Sequence, residues 1–163
     1  MGKINLKQRL AKTYILKLEK FCSENKIELK KIPNSNLIAY SYAYLKSKEG
    51  HSYSVLLEFD GGKPGYGIYY GCKGYNITEE EIEKTDTEWD DYKEEIARVL
   101  FGMLNLPKEK QRLLTTDVFD KEIKEYWPFW IKIEESEDIS IACKAMAIIT
   151  KTLIDKFDFQ LVK

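Results

Sequence analysis

The chain has 163 residues, 44% of them hydrophobic and 33% charged, with a formal net charge of −1. That length supports one self-sufficient core, burying about 70% of the unfolded surface, and the mixture excludes both a disordered tail and a membrane-embedded bundle. The charge is divided: 13 basic and 6 acidic residues up to Tyr75 give +7, while 13 and 21 from Asn76 onward give −8, so the halves either neutralise each other or present an interaction surface.

The opening MGKINLKQRL has no apolar run of the signal-peptide kind, and Leu6 stands where a myristoylation motif needs Ser or Thr. A helix is predicted from about Ile4 to Ser23. Leu10, Ala11, Tyr14, Ile15, Leu18, Phe21 and Cys22 recur at spacings of three and four and form its apolar face. Arg9, Lys12 and Lys20 lie opposite, and Leu16 falls in the middle of that basic face. From Lys26 to Lys73 the period changes to two. IELKKI, LIAYSYAYL, SYSVLLEF and YGIYYGCK are separated by Pro33-Asn34-Ser35-Asn36, by Ser47 to Ser52 with Gly50, and by GGKPG, which predicts an antiparallel meander of three to four strands. Strict alternation puts Ile38, Tyr40, Tyr42 and Tyr44 on one face, and Tyr53, Val55, Leu57 and Phe59 on one face of the next strand.

In the second half the period returns to 3.6. Thr78 and Glu81 form a capping box that opens a short acidic turn, and a longer helix follows from about Thr87 to Asn105, ended by Pro107. Residues 117–126 read as a brief helix stopped at Trp127-Pro128, and Phe129 to Ile133 as a strand. The last helix, about Glu137 to Phe157, is apolar except for a stripe of Lys144, Lys151 and Asp155, which marks it as the central core element. The expected fold is α+β: the meander packed against an N-terminal helix and two long C-terminal helices, in one domain spanning residues 1–163.

Chemistry-bearing motifs are few. Cys22, Cys72 and Cys143 are odd in number and widely spaced, which fits reduced thiols and no CxxC clip. His51, the single histidine, sits in a hairpin turn without a nucleophile beside it. The loop GGKPG joins two strands, whereas a phosphate cradle needs a helix N-terminus after it. Asn76-Ile77-Thr78 matches a glycosylation sequon but serves the helix start. The run Glu79 to Glu95, with ten carboxylates and two lysines, lacks the alternation and central Gly of a calcium loop. Glu58 and Asp60, two apart on one strand, are the best pair for holding a divalent cation. The tyrosine-rich sheet, with Tyr42 and Tyr69 flanked by Lys46 and Lys73, could stack unpaired bases, although an RNA-recognition signature is absent.

The segment YSVLLEFDGGKPGYGIYYGCK, followed by an acidic helix and later by EYWPFW before the final helix, resembles the non-catalytic C-terminal half of large bacterial PD-(D/E)XK nuclease-superfamily proteins, over about residues 40–160. Glu28-Leu29-Lys30 has the Glu-x-Lys form without an upstream Asp, and Glu122-Ile123-Lys124 falls on a predicted helix. The resemblance implies an accessory or decoy domain of bacterial or phage origin without nuclease activity.

These readings together favour a cytoplasmic, non-enzymatic protein that binds another protein, as an inhibitor, immunity or accessory subunit does, with no cofactor, metal or membrane role. The expected contact residues are Leu16, Lys12 and Lys20 on the basic helix and Asp90, Asp91 and Glu94 on the acidic one. Single-stranded nucleic-acid binding through the tyrosine sheet and metal-dependent hydrolysis at Glu58 and Asp60 are the alternatives.

Overall fold

A computed structural model describes residues 6–32, 38–60, 63–70, 78–104, 118–120, 125–132 and 139–162. Its elements run α1 (Leu6–Glu24), β1 (Lys30–Lys31), β2 (Ile38–Lys46), β3 (Ser52–Asp60), β4 (Lys63–Tyr70), α2 (Glu79–Leu104), β5 (Val118–Asp120), β6 (Glu125–Trp127), β7 (Phe129–Lys132), α3 (Ile139–Phe157) and β8 (Gln160–Val162). The expected α+β architecture is present. The main sheet has the order β1-β2-β3-β4-β7, every pairing antiparallel, and β8 adds to β2 beside β1.

Helix α1 ends where Lys26 adopts φ 55°, the left-handed conformation that turns the chain out of a helix. The Ile27 amide donates back to the Cys22 carbonyl at 2.9 Å, and the Asn25 amide and side chain both donate to the Phe21 carbonyl. These bonds satisfy carbonyls that the helix end would otherwise leave unpaired. The hairpin between β2 and β3 closes the same way: the Ser47 amide donates to the His51 carbonyl at 2.8 Å, the His51 amide to Ser47 Oγ at 3.1 Å, and Gly50 takes φ 93°. The backbone of His51 thus has a turn-closing role.

Strict alternation fails in β2. The register slips between Ser41 and Ala43, so Tyr42 is the extra residue of a bulge. The core face therefore carries Tyr40, Ala43 and Leu45, opposite Leu57, Val55 and Tyr53, while Tyr42 and Tyr44 are only half-buried. On the other face Ala39, Ser41, Ser54, Leu56 and Glu58 are buried as well, so β3 is covered on both sides.

Helix α2 corrects the two-piece reading. Thr78 does cap it, its Oγ1 accepting the Glu81 amide at 3.2 Å and bonding the Glu81 carboxylate, but the helix continues unbroken for 26 residues. Nothing between Ile82 and Glu88 is a Gly or Pro that would stop it. Glu79, Glu80 and Glu81 in the first turn complement the helix dipole.

The brief helix expected over 117–126 is instead a two-stranded ribbon, with Val118 opposite Trp127, Phe119 opposite Tyr126 and Asp120 opposite Glu125. Its β-branched and aromatic residues prefer the pleated conformation, and cross-strand pairing outweighs a weak helical period. The chain bends at the buried Pro128 into β7, which pairs with β4.

Helix α3 is the centre of the core. Ala142, Cys143, Ala145, Met146, Ile149 and Leu153 are buried, whereas Lys144, Lys151 and Asp155 are exposed. Thr150 and Thr152, buried on the same helix, donate to the Met146 and Ile148 carbonyls at 2.8 and 2.7 Å, which satisfies their hydroxyls without outside partners. Asp158 (φ 57°) then reverses the chain. The Phe159 amide donates to the Leu153 carbonyl, and Phe159 itself is buried against Tyr53, Trp89 and Tyr92 before β8 docks on β2.

Helices α2 and α3 are joined at the surface by Glu95, which accepts hydrogen bonds from Arg98 and from Lys156. The Arg98 bonds and then that from Lys156 hold the Glu95 carboxyl at about 2, below its ordinary 4.5. A depressed carboxyl adds stability above its unfolded pKa and loses it as pH falls between those two values. With a side chain 25% exposed the contribution is small and salt-sensitive. An NMR titration should therefore place the Glu95 midpoint near 2, and Lys156→Ala should move it upward; a midpoint near 4.5 in the parent protein would show that the pairs do not persist in solution.

Candidate functional site

The stripe Lys12, Leu16 and Lys20 repeats every four residues along α1, so the three fall on one line of the helix. The other side of α1 is committed to the core: Leu18 is 1% exposed and Cys22 8%, with Tyr14, Ile15 and Phe21 packed at the edge. Leu16 is 59% exposed, beside the exposed Lys17 and Lys20. Lys20 lies 4.0 Å from Glu24, an exposed pair that fixes little. The side chain of Lys12 lies outside the described residues.

On α2, Glu94 is exposed, and the side chains of Asp90 and Asp91 lie outside the described residues. Helices α1 and α2 each pack against α3. Charge on α2 is answered within the chain by Arg98 of α2 and by Lys156 of α3, both at Glu95. The contribution of α3 was invisible in the sequence, because Lys156 meets Glu95 only once α3 has folded across α2. Among the described residues three further large apolar side chains are exposed: Met103 in the last turn of α2, and Leu161 and Val162 in β8. Leu16 differs from them in lying mid-helix within a basic stripe.

Beside the stripe, the last turn of α1, residues 27–30 and β2 enclose a groove of about 380 Å³. Leu18, Cys22 and Tyr40 line it, and Glu19, Glu28 and Lys30 bring charge of both signs. The Tyr40 hydroxyl is pushed up by burial and then by the Glu19 carboxylate. Cys22 and Cys143 are buried below it; burial raises the Cys22 thiol, and burial, then Cys22, raises Cys143 to about 12. Neither thiol is ionised at neutral pH. Of the residues of the groove, the sequence marks Leu18, Cys22 and Tyr40 as face positions of a helix and a strand and Glu28–Lys30 as a Glu-x-Lys form, while the groove itself depends on the sharp exit from α1 at Lys26.

The other candidates are dispersed. Tyr42 is half-buried on the bulge and Lys46 is exposed at the end of β2; Tyr69 is opposite Ser54 on β4, its side chain outside the described residues, as is all of Lys73. Tyr40, Tyr53 and Tyr66 are buried in the core, where they cannot meet a base. Glu58 is buried on the second sheet face, 5% exposed, in a cross-strand row with Ala39, Gly65 and Lys132. The side chain of Asp60 lies outside the described residues, and so does the whole of Glu122-Ile123-Lys124. Glu28 and Lys30 are exposed at the groove. Among the described residues no three His, Cys, Asp or Glu side chains gather as a metal cage, and no helix is long and apolar enough to cross a membrane.

Compared with known proteins, the chain matches no family model, no curated protein and no solved structure.

Proposed function

We propose that this protein acts by binding another protein, as an inhibitor, immunity or accessory subunit of bacterial or phage origin does, and that the Lys12–Leu16–Lys20 stripe of α1 is its principal contact. The observation that carries the reading is the exposure of Leu16, at 59%, beside the exposed Lys17 and Lys20, on a helix whose opposite side buries Leu18 and Cys22 in the core. An apolar side chain inside a charged rim is the arrangement in which burial supplies retention and charge supplies orientation. The complementary surface is acidic with an apolar socket. Glu94, with Asp90 and Asp91 on the same helix, is a second charged face that steers encounter.

Leu16→Asp combined with Lys20→Glu should leave thermal stability within about 0.5 kcal/mol, since neither side chain supports the core. Affinity for the partner should fall at least tenfold, the equivalent of about 1.4 kcal/mol. Titration calorimetry against the captured partner reads both enthalpy and affinity; an unchanged dissociation constant would remove α1 from the interface. Single-stranded nucleic acid is the competing ligand, through Tyr42 and Lys46, and binding of a mixed-sequence oligonucleotide that weakens steeply with salt would favour it.

A further inference from the structure

Strand β2 is held by β3 along one side and by two short strands along the other: β8 opposite Tyr44, Leu45 and Lys46, then β1 opposite Ser41 and Tyr40. Both run antiparallel to β2, so β8 and β1 follow one another in the same direction and make one edge of the sheet, with the Tyr42 bulge between them. Every residue of the two strands is exposed, and among the described residues no further strand pairs with them. The main chain here has free polar groups. The Ile32 amide donates to the Ala39 carbonyl at 3.0 Å, and bonded and non-bonded pairs alternate along an antiparallel ladder. At the next pair, Lys31 opposite Tyr40, the amide and carbonyl of Lys31 therefore point away from β2.

The side chains define what fits. Leu161 and Val162, both exposed, are successive on β8 and face opposite sides of the sheet, and Lys30 and Lys31 do the same on β1. Each side of the edge thus carries one apolar group and one ammonium, and neither strand has a carboxylate. A second copy laid edge to edge along β1 would set lysine against lysine, an arrangement that disfavours self-pairing. An acidic segment meets complementary charge instead.

We propose that the edge formed by β8 and β1 takes an extended acidic segment of another protein as an added strand. Antiparallel, like every other pairing in the sheet, that segment presents two successive carboxylates to Lys31 and Lys30 and then, past the bulge, two successive apolar residues to Val162 and Leu161. Main-chain bonds at Lys31 contribute affinity, and the side-chain pairs contribute specificity. The proposal rests on the protein-binding reading and adds to it the kind of segment bound. Lys30 also lines the groove beside α1, and Glu19 and Ser23 of that groove lie one turn on from Leu16 and Lys20, so the edge is continuous with the helical stripe.

The test titrates the full isotope-labelled chain with a blocked synthetic peptide centred on Glu-Glu-Thr-Val-Val and follows amide signals by NMR. Shifts should concentrate in β1 and β8, and the Lys31 amide should exchange with solvent about tenfold more slowly when the peptide is bound. A Lys-Lys-Thr-Val-Val peptide should bind about tenfold more weakly. Lys30→Glu with Lys31→Glu, at exposed positions, should keep the parent melting temperature and reverse that order of preference. Leu16→Asp with Lys20→Glu should leave peptide binding unchanged, so failure of the helical contact and failure of the edge contact are read separately. Equal affinity for the two peptides, no shifts in β1 and β8 with either, or a chain that dimerises through β8 and excludes the peptide would overturn the proposal.

Discussion

Met146→Lys is expected to abolish cooperative folding. Met146 is fully buried at the middle of α3, among Ala142, Cys143, Ile149 and Leu153, and the exposed stripe of that helix at Lys144, Lys151 and Asp155 lies on its other side. A lysine at 146 could not extend its ammonium to water along the helix, and leaving that charge unpaired costs several kcal/mol, set against a total stability of about 5–15 kcal/mol. The measurement is thermal denaturation followed by near-ultraviolet circular dichroism. No sigmoidal transition should remain, while Lys144→Met on the exposed stripe should shift stability by no more than about 0.5 kcal/mol. A soluble Met146→Lys protein with a sharp transition would mean that α3 is not the core centre.

Trp89→Ala should give the largest loss among variants that still fold, about 3–5 kcal/mol. Trp89 is fully buried and meets Tyr53 at 4.9 Å, Tyr92 at 5.3 Å and Phe159 at 5.9 Å between ring centroids, each edge-on. This cluster ties α2 to β3 and to the chain leaving α3, so its loss opens a cavity where three elements join. Urea denaturation of Trp89→Ala, Phe159→Ala and the double variant would separate cavity from ring contact. A coupling of about 0.5–1.5 kcal/mol between the two rings is expected. Additive losses would show that the rings fill space without a specific interaction.

Much of this fold was legible because the periodic signals were strong. The apolar positions of α1 from Tyr14 to Cys22 and the nearly all-apolar surface of α3 leave little choice of face, and the turn at Gly50 divides β2 from β3 cleanly, whereas β4 begins inside the expected GGKPG turn, with Lys63, Pro64 and Gly65 paired to β3. What escaped depended on contacts distant in sequence. The bulge at Tyr42 shifts the core face to Ala43 and Leu45, and no alternation rule contains it. The ribbon of β5 and β6 was read as a helix because its pairing is tertiary, although Val118, Phe119, Tyr126 and Trp127 carried a strand preference. The apolar alternation of Phe159-Gln160-Leu161-Val162 was the available sign of β8. Of the candidate contact residues, Leu16 stood out in the sequence as an apolar residue among lysines, and its exposure follows from the helical period alone. The groove did not stand out, since it forms where the chain turns at Lys26 and brings Tyr40 opposite Cys22.

Photo-crosslinking from position 16 tests the protein-binding reading most directly. Photo-leucine preserves the shape of Leu16 and reacts only with what touches it; the same reagent at Lys151, exposed on α3, reports non-specific proximity. In a host lysate treated with nuclease, one protein should cross-link from position 16 and not from position 151, and Lys20→Glu should reduce its yield at least tenfold, in line with charge-guided encounter. Asp91→Lys with Glu94→Lys should slow capture without removing the cross-link. Equal labelling from both positions, or cross-linked material that disappears with nuclease, would contradict protein binding through α1.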